Sequence, residues 1–217
     1  LVALRVDTGA TVWESSVEGN PTGLFALNDR LFVGSTDNFF YCVATDTGLW
    51  NWRWRTGADI IGLPVVDERN VYFVSLDNVL RALSQRSGVQ QWARPLPLRP
   101  TRGPVATGSS LIVTGVARSL RAYRMSDGAP AGDIATADEL AAPTYPLGTA
   151  ALPSLVVLTR NLATGATATR FDRRIEPTPA ALTPLANPVP LPALPAEFAK
   201  PAPSDAPATA TPPADKP

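Results

Sequence analysis

Apolar runs of about six residues alternate with short polar breaks through most of the chain, the rhythm of strands joined by tight turns. "RLFVGSTDNFF", "NVYFVSLDNVL" and "SLIVTGVARSL" are rich in β-branched and aromatic residues and run into a turn. Asp37-Asn38 and Asp77-Asn78 suit that turn, because Asn and Asp tolerate positive φ. Ahead of these runs stand "GLFALND", "GLPVVDE" and "GPVATGS", whose Pro64 and Pro104 are acceptable near the start of a strand. After them come "FYCVATDTG", "LRALSQRSG" and "LRAYRMSDG", then a last strand. One unit is therefore four short strands.

The unit repeats. Gly9, Gly48, Gly88 and Gly128 are separated by 39, 40 and 40 residues. Trp13, Trp52 and Trp92 each follow their glycine by four positions, while the fourth copy, "MSDGAPAG", keeps the glycine and loses the tryptophan. Ala3, Cys42, Ala82 and Ala122 share one position upstream. Cys42 thus stands where the other copies carry alanine, and reads as a small buried filler. Four antiparallel strands in about 40 residues, repeated, predict an all-β protein built as a β-propeller. Full blades are expected at roughly 23–54, 63–94 and 103–134. Residues 1–15 supply the last two strands of a preceding blade, and 143–174 a degenerate fifth. Three full and two partial blades do not obviously close a ring, so the expectation is a partial propeller with further blades upstream of Leu1, the alternative being a four-bladed disc in which the N-terminal strands complete the last blade.

The Ala-Leu-x-x-x-x-Gly-x-x-x-Trp signature resembles the pyrroloquinoline-quinone-like (PQQ-like) propeller repeat, shared by quinoprotein dehydrogenases and the outer-membrane assembly lipoprotein BamB. The resemblance implies that Trp13, Trp52 and Trp92 dock between neighbouring blades, with Gly9, Gly48, Gly88 and Gly128 marking the turn that precedes each docking position. A large flat ring is a natural spacer between twisted sheets.

Trp50 and Trp54 have no counterpart in the other copies and are candidates for a partner-binding patch or for further seam packing. Simple alternation puts Trp50, Trp52 and Trp54 on one face, and Arg53 and Arg55 on the other, facing water. A second candidate surface is the loop face, where connections between blades meet the turns between second and third strands. It gathers "VEGNPTG", "RTGADIIG", "PLPLRPTRG" and "ATADELAA". "PLPLRPTRG" is stiffened by Pro95, Pro97 and Pro100 and presents Arg99 and Arg102, and a stiff loop loses little entropy on binding a partner.

Composition narrows the chemistry. The chain of 217 residues holds 19 Lys+Arg against 19 Asp+Glu, so no bulk attraction to nucleic acid or an anionic membrane is expected. It contains no histidine, which removes Ser-His-Asp triads, Cys-His nucleophiles and His-based zinc sites. A single cysteine leaves no internal disulfide. No apolar run is long enough for a transmembrane helix. From Glu176 onward 13 of 42 residues are proline, which predicts a domain limit near 175 and a disordered Pro/Ala/Thr-rich tail over 176–217.

The resemblance implies two functions. One is a non-catalytic, BamB-like scaffold of the bacterial envelope or periplasm that holds a protein partner, such as the outer-membrane assembly machinery, without a cofactor. The other is a fragment of a quinoprotein dehydrogenase with PQQ and calcium. That enzyme needs converging oxygen ligands, whereas Asp7, Asp46, Asp67 and Asp127 are spread singly at turn positions, so the scaffold is the expectation. A ligand-sensing ectodomain of a larger receptor is the third possibility.

Overall fold

The computed structural model describes residues 1–148 and 153–172, and every regular element in them is a strand. The tail expected from Glu176 lies outside the described residues. Strands β1 (Val2–Leu4) and β2 (Thr11–Glu14) form a two-stranded sheet. Next comes an antiparallel blade of β3 (Pro21–Leu27), β4 (Arg30–Ser35), β5 (Phe39–Ala44) and β6 (Trp50–Arg55). The following blade is β7 (Ile60–Val66), β8 (Asn70–Ser75), β9 (Val79–Ser84) and β10 (Gln90–Pro95). The third complete blade is β11 (Val105–Thr107), β12 (Ser110–Val113), β13 (Ser119–Arg124) and β14 (Pro130–Ala135). In the last sheet, β15 (Glu139–Leu140) and β16 (Tyr145–Gly148) are successive pieces of one strand position, because both pair with β17 (Pro153–Asn161). β18 (Gly165–Asp172) follows on the other side of β17. The chain is thus a β-propeller of four-stranded antiparallel blades, flanked by the pair β1–β2 and by a last sheet with three described strand positions.

Second and third strands are buried on both faces, which explains why their sequences are continuous apolar runs: four of the six residues of β5 and five of the six of β4 are buried. The two faces of each blade feed two different cores. Leu31, Val33, Tyr41 and Val43 pack toward Trp13, whereas Phe32, Phe40 and Cys42 pack with Phe73 and Leu83 of the next blade. Phe40 and Phe73 stack across that seam, with centroids 4.2 Å apart and rings 6° from parallel. Asn38 and Asn78 adopt φ of 67° and 60°, the left-handed conformation that the Asp-Asn hairpins require.

First strands of successive blades touch at glycine. A Cβ on Gly23 would overlap the Gly62 carbonyl, and one on Gly62 the backbone nitrogen of Gly103. Backbones meet there with no side chain between them, so these glycines, which open the three first-strand segments, are required by close approach.

Two expectations are corrected. Trp50 does not share a face with Trp52 and Trp54: Cys42 pairs with Trp52 but Val43 with Trp50, so one extra residue, Asn51, bulges from β6 and reverses the alternation. The same irregularity separates Ala82↔Trp92 from Leu83↔Gln90, and Ala122↔Gly132 from Tyr123↔Pro130, so it belongs to the repeat. Pro95 is the last residue of β10 and belongs to the strand, so the loop is stiffened by Pro97 and Pro100 alone.

Candidate interaction face

The tryptophan of each of the first three copies reaches into the next blade. The Trp13 Nε1 donates to the Thr45 carbonyl at 2.8 Å, Trp52 to Gln85 at 3.1 Å and Trp92 to Met125 at 3.1 Å. The rings lie against Gly48, Gly88 and Gly128, where a Cβ would stand 2.5, 2.7 and 2.6 Å from the nearest indole atom. These three glycines have φ near 70°, so each serves both the turn and the contact. Gly9 has the same φ and nothing within 4 Å of its would-be Cβ. Trp54 extends the seam as a half-buried member of the Phe32–Phe40–Phe73 core. At the matching position Arg94 crosses its seam by hydrogen bonds, to the Gly128 and Asp127 carbonyls at 3.1 and 2.9 Å. Cys42 is fully buried in the same core, and that burial pushes its thiol above the usual range.

Trp50 lies on the opposite face. It is 42% exposed, sits 5.1 Å from the Tyr41 ring, and shares the Arg53 guanidinium with Phe39, at 5.3 and 4.8 Å. Arg53 is therefore held between two rings, beyond the expectation of a simple water-facing cation.

The loop face is organised by aspartates. Asp37 accepts from the Gly19 N–H at 3.2 Å, tying the incoming inter-blade loop to its own hairpin, and also from Phe39 N–H and Tyr41 Oη at 2.9 and 2.7 Å. One blade on, Asp77 does the same: it accepts from Gly57 N–H at 3.0 Å, Ser75 Oγ at 2.6 Å and both terminal nitrogens of Arg81. Burial works against charge on both carboxyls, yet these donors outweigh it and hold both below the usual carboxylate range. The phenol of Tyr41 is pushed up, by burial first and by its hydrogen bond to the Asp37 carboxylate second.

In the next blade the anchor is gone. Ala117 and Arg118 occupy the places of Asp77 and Asn78. The loop is held by main chain instead, with Val116 N–H donating to the Arg99 carbonyl at 3.0 Å and Thr101 N–H to Thr114 at 3.3 Å. A cavity of about 470 Å³ opens between this turn and the last sheet, bordered by Arg102, Thr114, Arg118, Glu139 and Leu140. Among the described residues neither Arg102 nor Arg118 takes part in an ion pair. Arg102 of "PLPLRPTRG" and Glu139 of "ATADELAA" border the same cavity. Arg99 is exposed and does not border this cavity. Arg118 escapes a reading of charge alone; its signal is the loss of the Asp-Asn pair from one copy of the repeat.

The sequence profile of a family described as "Outer membrane protein assembly factor BamB" matches residues 1–143. No curated protein matches the chain in sequence. The structure is similar to that of BamB from Moraxella catarrhalis, with a TM-score of 0.55 and 14% identity, covering 76% of this chain and 53% of that one. It is also similar to the computationally designed Ika4 protein, with a TM-score of 0.62 and 11% identity over 76% of this chain and 99% of the design. A third likeness is to BBS1N, solved in complex with ARL6DN, with a TM-score of 0.60 and 17% identity over 80% and 58% of the two chains. At such identities these likenesses establish the fold alone. The chain spans about half the length of the BamB structure it matches.

Proposed function

Because the chain belongs to the family described as outer membrane protein assembly factor BamB, we propose that it is a non-catalytic scaffold of the bacterial cell envelope whose loop face holds a protein partner of outer-membrane assembly. The observation that carries this reading is the Arg102–Arg118 cavity. Two blades tie their loop face with a half-buried aspartate of their own, and in the third, which has none at that place, Arg102, Arg118 and Thr114 border an open hollow. An acidic side chain of a partner restores the missing carboxylate, and guanidinium forks favour that geometry. The Asp-Asn turns and Glu139 frame the contact.

Catalysis finds less support. Asp7, Asp67, Asp77 and Asp127 each accept bonds from guanidinium, hydroxyl or backbone N–H groups within their own turns. Their oxygens serve the fold.

A photo-crosslinking amino acid at Val116, which is 75% exposed on the loop face, tests the reading. In cells it traps a discrete envelope protein, and the adduct is lost when Arg102 and Arg118 are both changed to Glu. The same probe at Gln91, exposed on a fourth strand, leaves that adduct unformed. Equal adducts from the two positions, or adducts indifferent to the charge reversal, defeat the proposal. A rise in thermal stability with pyrroloquinoline quinone and calcium speaks instead for the dehydrogenase.

A further inference from the structure

The third complete blade lacks the docking tryptophan, and the register fixes where it is missing. Gly132 pairs with Ala122 as Trp92 pairs with Ala82 and Trp52 with Cys42. Its φ is 141°, and among the described residues nothing lies within 4 Å of where its Cβ would be. In the other seams the ring covers a constant floor: Trp52 lies 6.2 Å from Phe32 and Trp92 lies 5.7 Å from Tyr72. Ile112 and Ala122 are the matching floor here. Cys42 and Ala82 are fully buried beneath their rings, whereas Ala122 is only half-buried.

Among the described residues the place of the missing ring is a cavity of about 250 Å³, walled by Ile112, Ala122, Ile134, Leu155 and Phe171. A dry apolar cavity of about 150 Å³ accepts benzene, so this one has room for a two-ring aromatic. At its edge Ser154 Oγ donates to Asp172 at 2.6 Å, and the carboxylate, which also accepts from Arg170 at 2.7 Å, keeps acceptor capacity for an N–H. In the sister seams the indole N–H also ends on an oxygen, that of a backbone carbonyl.

We propose that this cavity is a binding site for an indole ring, supplied from outside the blade as a free indole-type molecule or as the tryptophan side chain of a partner. The incoming ring completes the seam in the manner of Trp52 and Trp92. The site is separate from the Arg102–Arg118 hollow and does not depend on the scaffold reading.

The test uses the full chain with ¹³C-labelled isoleucine methyls, titrated with indole and, separately, with N-acetyltryptophanamide. Ile112 and Ile134 signals shift with saturation while Ile60, in a seam already closed by Trp52, stays fixed. Filling the floor with Ala122→Leu weakens binding by about tenfold or more, and Phe171→Ala weakens it by removing a wall. An unmoved Ile60 signal in each variant reports that the blades remain folded. Tighter binding of the amide assigns the site to a partner's side chain, and tighter binding of indole to a small molecule. Absence of shifts up to the solubility limit, shifts that spread to Ile60, or affinity unchanged in Ala122→Leu in a folded protein overturns the proposal. Loss of this site leaves crosslinking at Val116 unaffected, so the two proposals fail separately.

Discussion

Gly88 carries no side chain where the Trp52 indole lies: a Cβ there would stand 2.7 Å from the ring atom Cδ2. Ring and glycine come from neighbouring blades and are joined again by the Trp52 Nε1 bond to Gln85, in the turn that Gly88 ends. The repeated Gly-x-x-x-Trp motif therefore records a contact between successive units, with Gly48, Gly88 and Gly128 receiving the tryptophans of the units before them.

Gly9 and Gly88 separate the two demands on that glycine. Both have φ near 70°, but only Gly88 faces a ring. Gly9→Ala costs about 1–2 kcal/mol from the left-handed backbone alone. Gly88→Ala adds displacement of the indole and costs about 3 kcal/mol or more. Urea denaturation of the two variants shows the difference as a lower midpoint for Gly88→Ala. Equal losses mean that the contact carries no energy.

The repeat of about 40 residues could be read from the spacing of its glycines and tryptophans. The docking of those tryptophans between blades came from the resemblance to the PQQ-like repeat, and their contact with the next glycine came from the structure. The bulge at Asn51 could not be read from spacing. Alternation looks the same whether or not an extra residue is inserted opposite Cys42 and Val43, and only pairing reveals it. Of the loop-face cations, Arg102 was visible in a stiff proline-rich loop. Arg118 was hidden, since its importance lies in what replaced Asp77 and Asn78 in another copy of the repeat. The cavity over Ala122 had a visible sign, the tryptophan lost at Gly132, but its far walls, Leu155 and Phe171, come from β17 and β18, whose sequence barely follows the repeat.

Asp37 and Asp77 set an acid limit. Both carboxyls are lowered in the folded protein, so their stabilisation is complete above the ordinary carboxylate range and is lost as pH falls through the folded values. Asp77→Asn lowers stability at neutral pH by about 2 kcal/mol, because Arg81 and the Gly57 N–H lose a charged acceptor. Its stability then declines less steeply below about pH 4 than that of the parent. A parallel decline in both proteins, followed by thermal melting from neutral to acid pH, rules this out.

If the proposed partner is captured through Arg102 and Arg118, capture is sensitive to ionic strength, since exposed guanidinium groups act over a Debye length of about 8 Å at physiological salt. Capture weakens between low and high salt in the parent and becomes flat in the doubly charge-reversed variant. Arg99→Glu, outside the cavity, changes it little. Surface plasmon resonance at several salt concentrations distinguishes these responses once the crosslinked partner is in hand.

Cys42 is the chain's one thiol and lies under Trp52, paired with it across β5 and β6. Burial both blocks access and raises the thiol above the usual range, so alkylation proceeds through opening of the blade. Iodoacetamide therefore labels the native protein far more slowly than the urea-unfolded chain. Trp52→Ala uncovers the sulfur and destabilises the seam by about 3 kcal/mol, which raises the labelling rate by about a hundredfold where the blade recloses faster than the thiol reacts. Trp50→Ala, whose ring lies on the other face of the blade and is partly exposed, leaves that rate near the parent's. Were Trp50→Ala to accelerate labelling as much as Trp52→Ala, the two rings would cover the same face and the bulge at Asn51 would be wrong.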